Sequence, residues 1–447
     1  MLLLTGKPSG PVLDFRPFHA LHGSCALIWL YSLLLYLSLP IVLVRLLWRS
    51  RRAPAYRQRL GERLGCFGDR RLSAGLWIHA VSVGETQAAV PLIKHFLDRF
   101  PDDGVMVTTT TPTGSERLRA LFEDRVRHVY TPFDLTPVMN RFLIRVQPRL
   151  TVVMETEIWP NMLRACEQRG VPVVLANARL SARSAQGYAR LGGFTRETFS
   201  RLSAVAAQSD ADARRFTALG VPAEHVQVTG NIKFDVHLPA SLQERSEVMR
   251  RLWGSDRPVW VSASTHEGEE EQVLEAHRNL LQHLPKALLV LVPRHPERFE
   301  RVATLAIRKG FSPVRRSSGS VCKANDTLFI GDTMGELPVF IAAADATFIG
   351  GSLVPVGGHN MLEAAAVGVP AATGPHVFNF AQITKLLVKE GAAVQVADGG
   401  ELARLMVKWL GDAAVRAQIG ENGRRVVEQN RGALQRLIAL LEDMLVD

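Results

Sequence analysis

Cysteine is scarce in this chain, which has four in 447 residues. They are Cys25, Cys66, Cys166 and Cys322, and no two lie at the paired spacing of a zinc site or a redox motif. A small disulfide scaffold is also excluded, since such scaffolds are dense in cysteine. We therefore predict that all four cysteines are structural and that the protein works in a reducing compartment.

Two common nucleotide and metal motifs are missing as well. The sequence has no G-x-x-x-x-G-K-[S/T] phosphate loop and no H-E-x-x-H zinc helix, which excludes the protein classes built on them. Its one Asp-x-Asp pair, Asp210 and Asp212, follows a serine at the start of a helical stretch. Residues of this kind cap helices, so we predict a cap there rather than a clamp for a metal-bound nucleotide. The sequence predicts no metal.

Charge is absent from residues 25–44, a run of 20 residues that is long enough for a helix to cross a bilayer. Nine arginines and only two acids follow in residues 45–71, whereas a cleaved signal peptide carries its basic residues before the apolar run. We predict a transmembrane anchor at 25–48, after an N-terminal extension at 1–24. The positive-inside rule then places the rest of the chain in the cytoplasm. A buried helix of a soluble protein remains the alternative.

The basic cluster accounts for most of the net charge of +10. Because it adjoins the predicted anchor, we expect anionic lipid as its partner, and a merely solvated linker is the alternative. Nucleic acid is disfavoured, since the basic residues do not alternate with aromatic side chains in the pattern on which bases stack.

After residue 75, short β-branched runs alternate with helical stretches, which is typical of βα units around a parallel sheet. The length suggests two α/β domains, which we place at 49–240 and 241–447, with the C-terminal helical tail packing across the domains. Strands are predicted at 76–82, 105–111, 126–133, 150–156, 171–178, 204–209, 226–231, 258–265, 287–294, 327–332, 346–352, 369–375 and 392–397.

Candidate catalytic residues follow the strands of the first half. Glu85 opens a helix after the first strand, where it is either a general base or an ordinary helix-terminal acid. Glu155 and Glu157 follow a later strand and are predicted to share one side of an extended segment, where they are paired or functional. Lys233, in a loop with Asn231, either holds an anion in a cleft or is exposed.

The second half offers three loops after strands. Arg294 suits a phosphate, and His295 comes next to it. Met334, Gly335 and Glu336 present backbone amides to a base or sugar. The glycine-rich stretch at 350–358 leads to Asn360 at the start of a helix, and such a start is a ready phosphate site. Glu363, one turn later, could accept hydrogen bonds from a ribose diol.

At these residues the chain resembles the Kdo transferases of Gram-negative lipopolysaccharide assembly, where Kdo is 3-deoxy-D-manno-octulosonic acid. The resemblance runs from about residue 27 to the C-terminus. It is carried by the motifs WIHAVSVGE, METEIWPN, TGNIKFD, VPRHPERF, GDTMGEL and GGHNMLE, in that order. It implies a GT-B fold of two Rossmann-like domains facing a cleft, CMP-Kdo as donor, lipid IVA as acceptor, and the cytoplasmic face of the inner membrane.

The resemblance also implies roles for residues that match the motifs. Glu85 matches the general base, and Glu155 and Lys233 match positions that support the transition state. The matches to the CMP-binding segments are Pro293, Arg294, Met334, Gly335, Glu336, Asn360, Met361, Leu362 and Glu363. Two departures are Met361, where the motif usually has proline, and the extension at 1–24. The implied reaction is a single displacement with inversion and without a metal.

Two alternative functions remain at this point. Another GT-B glycosyltransferase or a sugar-nucleotide epimerase would share the fold, because fold alone does not fix function. A non-catalytic, membrane-tethered nucleotide sensor would bind CMP without turnover, and it would have no need of a carboxylate at residue 85.

Overall fold

The structure is a computed structural model that describes residues 21–51, 53–68 and 74–446. Most of the predicted N-terminal extension and three arginines of the basic cluster, Arg52, Arg70 and Arg71, lie outside the described residues. The chain divides into two compact units. The first comprises residues 1–232 and 432–447, and the second comprises 233–431.

The first unit contains a parallel seven-stranded sheet in the order β3-β2-β1-β4-β5-β6-β7. The strands are β1 (Leu76–His79), β2 (Val105–Thr109), β3 (Arg127–Tyr130), β4 (Leu150–Met154), β5 (Val173–Ala178), β6 (Ala204–Ala207) and β7 (Val226–Val228). The helices before and between them are α1 (Leu21–Arg49), α2 (Leu60–Arg63), α3 (Val83–Arg99), α4 (Pro112–Phe122), α5 (Thr136–Val146), α6 (Pro160–Glu167), α7 (Ala182–Ala189), α8 (Gly193–Phe199) and α9 (Asp210–Ala218).

The second unit repeats this architecture, with a parallel sheet in the order β10-β11-β9-β8-β12-β13-β14. Its strands are β8 (Val259–Thr265), β9 (Leu288–Pro293), β10 (Val314–Arg315), β11 (Leu328–Ile330), β12 (Ala346–Ile349), β13 (Ala371–Thr373) and β14 (Ala393–Gln395). Its helices are α10 (Leu242–Trp253), α11 (Glu270–Leu281), α12 (Phe299–Arg308), α13 (Leu337–Ala342), α14 (Leu362–Val367), α15 (Ala381–Lys389), α16 (Gly399–Gly411) and α17 (Ala413–Asn430).

The predicted α/β class and every predicted strand are confirmed, because strands of a parallel sheet are buried on both faces and read as continuous apolar runs. In β4, all residues from Leu150 to Met154 are buried. The sequence pattern missed β10, which has only two residues at the sheet edge and is too short to show a period.

The boundary between the two units lies where neighbouring residues of the chain pack in different hydrophobic cores. Ile232 packs in the core of the first unit, while Phe234 packs in that of the second, so the division precedes the boundary expected near residue 240. The last helix, α18 (Ala433–Val446), belongs to the first unit, where Leu437 and Leu441 are fully buried against its sheet.

The apolar helix α1 covers the whole anchor predicted at 25–48 and is long and apolar enough to cross a membrane. It also contacts the rest of the first unit. The Tyr31 hydroxyl donates to Asp134 Oδ2 at 2.8 Å, and Asn161 Nδ2 donates to Ser32 Oγ at 3.1 Å. Ile28 and Ser32 are buried, whereas most of the helix is exposed, Trp29 and Ile41 to 70% and 71%.

Candidate active site

The carboxylates predicted in the first half come together at one point of the first sheet. β1 and β4 pair directly and in parallel. Successive strands are added on one side of β1 up to β3, and from β4 onward they are added on the other side. Glu85 follows β1 in the first turn of α3, and Glu155 directly follows β4. Ligands of doubly wound sheets bind beyond the carboxyl ends of the strands at such a switch point. The topology therefore brings Glu85 and Glu155 to the position where this fold binds ligands.

Glu85 is buried, and hydrogen bonds hold its carboxylate. Val81 N donates to Oε2 at 2.8 Å and Ser82 Oγ donates to Oε1 at 2.7 Å, while Ser82 Oγ accepts from Glu85 N at 3.2 Å. The residue thus takes part in the cap at the start of α3, as the helix-terminal interpretation of Glu85 expects. Burial nevertheless raises the pKa of Glu85 to about 7, against the lowering effect of these bonds. A carboxyl group that titrates near neutrality suits a general base.

Glu155 and Glu157 add negative charge beside Glu85, and both contribute to its raised pKa. Glu155 has a left-handed backbone with φ of 57°, which is unusual for a residue other than glycine and is typical of functional sites. Its Oε2 lies 3.0 Å from Arg179 Nε. Glu157 accepts from Trp159 Nε1 at 3.0 Å. Both acids therefore have a polar partner, which the buried Glu155 requires.

Lys233 lies in the 3-10 turn Ile232–Phe234, at the start of the second unit. Its Nζ is 5.9 Å from the centroid of the Phe380 ring, which is within the range of a cation–π contact.

Three adjacent strands of the second sheet, β9, β8 and β12, are each followed by polar residues. Pro293 ends β9, and the exposed Arg294 follows it. Arg294 makes no ion pair with any residue that the structure describes, so its guanidinium is available for an anion. His266 follows β8, and His359 lies in the glycine-rich loop after β12.

The segment at 334–336 follows β11. Met334 is exposed, and Gly335 has φ of 81°, a conformation that favours glycine. The Glu336 carboxylate is held by Arg316 through two bonds of 2.9 and 3.0 Å, and this pairing lowers the pKa of Glu336. The Glu336 side chain is thus occupied by its ion pair with Arg316, so a ligand would meet the backbone of this segment.

In the segment at 360–363, the side chains of Asn360 and Glu363 are half-buried, whereas those of Met361 and Leu362 are buried. Asn360 Oδ1 accepts from Leu362 N at 3.1 Å at the start of α14, as a capping residue does. The side chains of Met361 and Leu362 are in the hydrophobic core, so only their backbone can meet a ligand. Burial raises the pKa of Glu363, which makes no ion pair with the residues described.

A curated protein of Haemophilus influenzae, named 3-deoxy-D-manno-octulosonic acid transferase, is 43% identical to this chain over 93% of it and 98% of that protein. The chain belongs to the Kdo transferase family. A family model described as 3-Deoxy-D-manno-octulosonic-acid transferase also matches residues 58–236.

Solved structures resemble this Kdo transferase too. A C-terminal CMP-Kdo binding domain of WaaA from Acinetobacter baumannii is 32% identical and matches 42% of this chain and 100% of that one, with a TM-score of 0.41. HepE of Anabaena, solved with UDP, matches 83% of this chain and 99% of its own at 15% identity and a TM-score of 0.52. The second likeness, together with the two parallel sheets, confirms the GT-B fold expected of the Kdo transferases.

Sequence reasoning missed one carboxylate of this Kdo transferase. Glu269 is fully buried and accepts four backbone N–H bonds. His266 N and Gly351 N donate to Oε2 at 2.9 and 2.6 Å, and Ser352 N and Leu353 N donate to Oε1, both at 2.8 Å. Glu269 thereby joins the loops after β8 and β12. Its place in the acidic run EGEEE gave no signal of this, since such runs are usually solvated.

The Asp-x-Asp pair has the structural role that was predicted. Ser209 caps α9 by accepting from Asp212 N at 3.2 Å, and Asp212 Oδ1 accepts from Leu180 N at 2.8 Å. No group of three or more metal-binding side chains occurs in the described part of the Kdo transferase.

Proposed function

We propose that this Kdo transferase moves Kdo from CMP-Kdo to lipid IVA, a lipid A precursor, in lipopolysaccharide assembly. The observation that carries the proposal is the Glu85 carboxyl group, which lies at the switch point of the first sheet with a pKa of about 7. The acceptor hydroxyl must lose a proton in the reaction, and a base of this pKa is half ionised near neutral pH.

The proposed reaction is one displacement with inversion at the anomeric carbon of Kdo. The acceptor oxygen forms its bond to that carbon as its proton passes to Glu85. The bond to the phosphate oxygen breaks on the opposite face, and its electron pair leaves with CMP. Glu155 and Lys233 are proposed to support the charge of the transition state.

The second unit is proposed to bind the donor. Arg294 supplies a fixed positive charge for the phosphate, and guanidinium groups match phosphate geometry. The backbone of Met334 and Gly335 and the polar groups of Asn360 and Glu363 are proposed to hold the nucleoside. The donor has a single phosphate, so we propose that the charge of the leaving CMP is held by these residues without a divalent metal.

The proposed location is the cytoplasmic face of the inner membrane, held there by α1. If α1 crossed the bilayer, the positive-inside rule would place residues 28–32 toward the far side. Those residues instead contact Asp134 and Asn161 of the first unit, which the same rule places in the cytoplasm. We therefore propose that α1 does not cross the bilayer as its length predicted, but inserts its exposed apolar face into one leaflet.

Two measurements test the anchor. Full-length protein should stay in the membrane pellet at high salt, because apolar insertion is not screened, whereas a variant without residues 1–48 should wash off. An N-terminal epitope tag should resist protease in intact spheroplasts, with a periplasmic tag on another protein as the control. Digestion of the tag would establish a spanning helix instead.

Mass spectrometry of the products tests the activity. Purified protein incubated with CMP-Kdo and detergent-dispersed lipid IVA should yield lipid IVA increased by one or more Kdo residues. Parallel incubations with UDP-sugars distinguish the alternatives: release of UDP would indicate another glycosyltransferase, and an isomerised sugar nucleotide would indicate an epimerase. If lipid IVA gains no Kdo, the proposal is wrong.

A further inference from the structure

Two histidines of the second unit share a hydrogen bond that the proposed reaction does not yet use. His266 Nε2 and His359 Nε2 are 2.9 Å apart. The ring planes differ by 14° and the centroids are 5.1 Å apart, so the rings lie nearly edge to edge and the N–H of one points at the lone pair of the other. In the uncharged pair one proton lies between the two Nε2 atoms and a second is on one outer Nδ1, so the other outer Nδ1 can take up one more proton and give the pair a positive charge.

The surrounding backbone fixes this geometry. His266 and His359 follow the adjacent strands β8 and β12, and Glu269 accepts backbone hydrogen bonds from both of these loops. Gly351 lies directly against the imidazoles: a Cβ there would come within 3.0 Å of His359 Nε2 and 3.4 Å of His266 Cδ2. The close approach of the two rings thus depends on a glycine with φ of 69° at residue 351.

Positive charge surrounds the pair. Burial, the neighbouring His266 and Arg294 lower the pKa of His359, to about 4. His295, whose ring centroid is 5.4 Å from that of His266, acts in the same direction.

Burial lowers the pKa of His266 as well. Glu269 opposes this effect, while His295, Arg298 and Arg294 add to it. Arg298 is largely neutralised by its two bonds to the buried Glu270, at 2.5 and 3.0 Å. The pair is therefore uncharged near neutral pH, because burial and the positive neighbours outweigh the effect of Glu269. Arg294 marks the side from which a further anion is attracted.

We propose that the His266–His359 pair is a proton-uptake site of the donor pocket, which gains one proton when a nucleotide phosphate binds beside Arg294 and releases it when the nucleotide leaves. The inference rests on the proposed function, since it takes CMP as the ligand. An entering phosphate reverses the local charge, so the imidazoles regain their affinity for a proton. Because the two rings share a hydrogen bond, the added charge spreads over both.

The added proton has a use in the proposed reaction. The phosphate of the donor is a diester with one negative charge, and CMP leaves as a monoester that gains a second charge when the bond to Kdo breaks. A protonated pair offsets this gain by charge alone and forms no covalent bond. It would do for the leaving group what a metal ion does in other phosphate chemistry.

Calorimetry of CMP binding to the full-length, detergent-solubilised protein tests the proposal. Titrations at pH 7.5 in buffers of different ionisation enthalpy report the number of protons taken up. We expect uptake approaching one proton for CMP and none for cytidine, which lacks the phosphate. We also expect the affinity for CMP to fall as pH rises from 6.5 to 8.5, which requires no variant.

Substitution to glutamine removes the titration of either histidine and keeps an Nε2 donor at nearly the same place. His266→Gln and His359→Gln should each bind CMP with less than a tenfold loss of affinity and without proton uptake. The matched control is His283→Gln, at an exposed residue of the same unit, which should behave as wild type.

The outcomes separate the two proposals. If wild-type protein does not bind CMP, the proposed donor is wrong. If CMP binds but its affinity is independent of pH, or if proton uptake persists in both glutamine variants, the donor proposal stands and the role of the histidine pair is overturned.

Discussion

Glu85 shows how a local helix signal and the proposed catalytic role can fall on the same residue. Its carboxylate completes the cap of α3, and this fixes the side chain in one orientation. Its burial then costs the charged form free energy, which is what raises its pKa. A fully exposed capping glutamate would be ionised well below neutral pH and would be a weak base. The position of Glu85 at the edge of the sheet favours its proposed role as a base, which the cap alone would not indicate.

Replacement of the proposed base should abolish transfer and spare the nucleotide. We expect Glu85→Gln to lower the rate of Kdo transfer by roughly 100- to 10,000-fold, because general-base catalysis is worth about that much. The affinity for CMP should stay within about twofold, since the proposed nucleotide-binding residues lie in the other unit. In wild type, kcat/KM should rise with pH through about 7, where the carboxyl group loses its proton. A variant that keeps more than a tenth of the rate would contradict the assignment.

The same substitution should change stability in a pH-dependent direction. Because the folded pKa of about 7 exceeds the ordinary value of 4.5, the folded state binds the proton more tightly than the unfolded state. The stabilisation of the folded state by this bound proton is fully present below the ordinary pKa of 4.5 and is lost as pH rises through about 7. Glu85→Gln should therefore be more stable than wild type at pH 9, by up to about 3 kcal/mol, and no more stable at pH 4. Thermal melting at both pH values measures this, and an equal gain at both would refute it.

At the scale of elements, α18 belongs to a different unit from the helices that immediately precede it in the chain. The helix follows the whole second unit in the chain, yet it buries Leu434, Leu437 and Leu441 in the core of the first unit. Its apolar positions recur three and four residues apart, as a helix with one buried face requires.

Truncation of this buried face should destabilise the first unit. Leu437 is fully buried, so Leu437→Ala should lower the free energy of unfolding by about 2–5 kcal/mol through lost burial and a cavity. Leu191→Ala is the matched control, because Leu191 of the same unit is 50% exposed and should cost less than about 0.5 kcal/mol. Urea unfolding followed by tryptophan fluorescence compares them. Similar losses in the two variants would show that α18 does not stabilise this core.

At the scale of the whole molecule, the proposed chemistry is divided between two units of the same architecture. We propose that the first unit supplies carboxylates to deprotonate an acceptor, and that the second supplies arginine, histidines and backbone amides for an anionic donor. The division follows from charge: a carboxyl group such as Glu85, whose pKa is raised by burial and by neighbouring acids, suits proton transfer, whereas a phosphate needs positive charge.

We expect the transferase to work without a divalent metal. Activity should persist in excess EDTA, because the proposed donor has one phosphate and Arg294 provides positive charge for it. The measurement is the initial rate of Kdo transfer before and after chelation, with a metal-dependent glycosyltransferase treated in parallel as the control. A loss of turnover that added Mg²⁺ restores would refute metal independence.

The sequence by itself determined the strands, the two α/β units and the positions of Glu85, Glu155 and Arg294 just after strands. These features are local: a run of apolar residues, a helix cap and a post-strand residue are each visible within about ten residues. The motifs also carried the family resemblance. The apolar run between residues 25 and 44 was visible in the same way.

Only the tertiary structure decided which of these residues meet. Strand order in a parallel sheet is set by long crossovers, and apolar periodicity does not encode it. That order makes β1 the neighbour of β4, which brings Glu155 toward Glu85, and β8 the neighbour of β12, which brings His266 to His359. Burial is likewise a property of packing. The raised pKa of Glu85, and the contacts of α1 with the first unit that composition alone could not reveal, therefore appear only when the chain is folded.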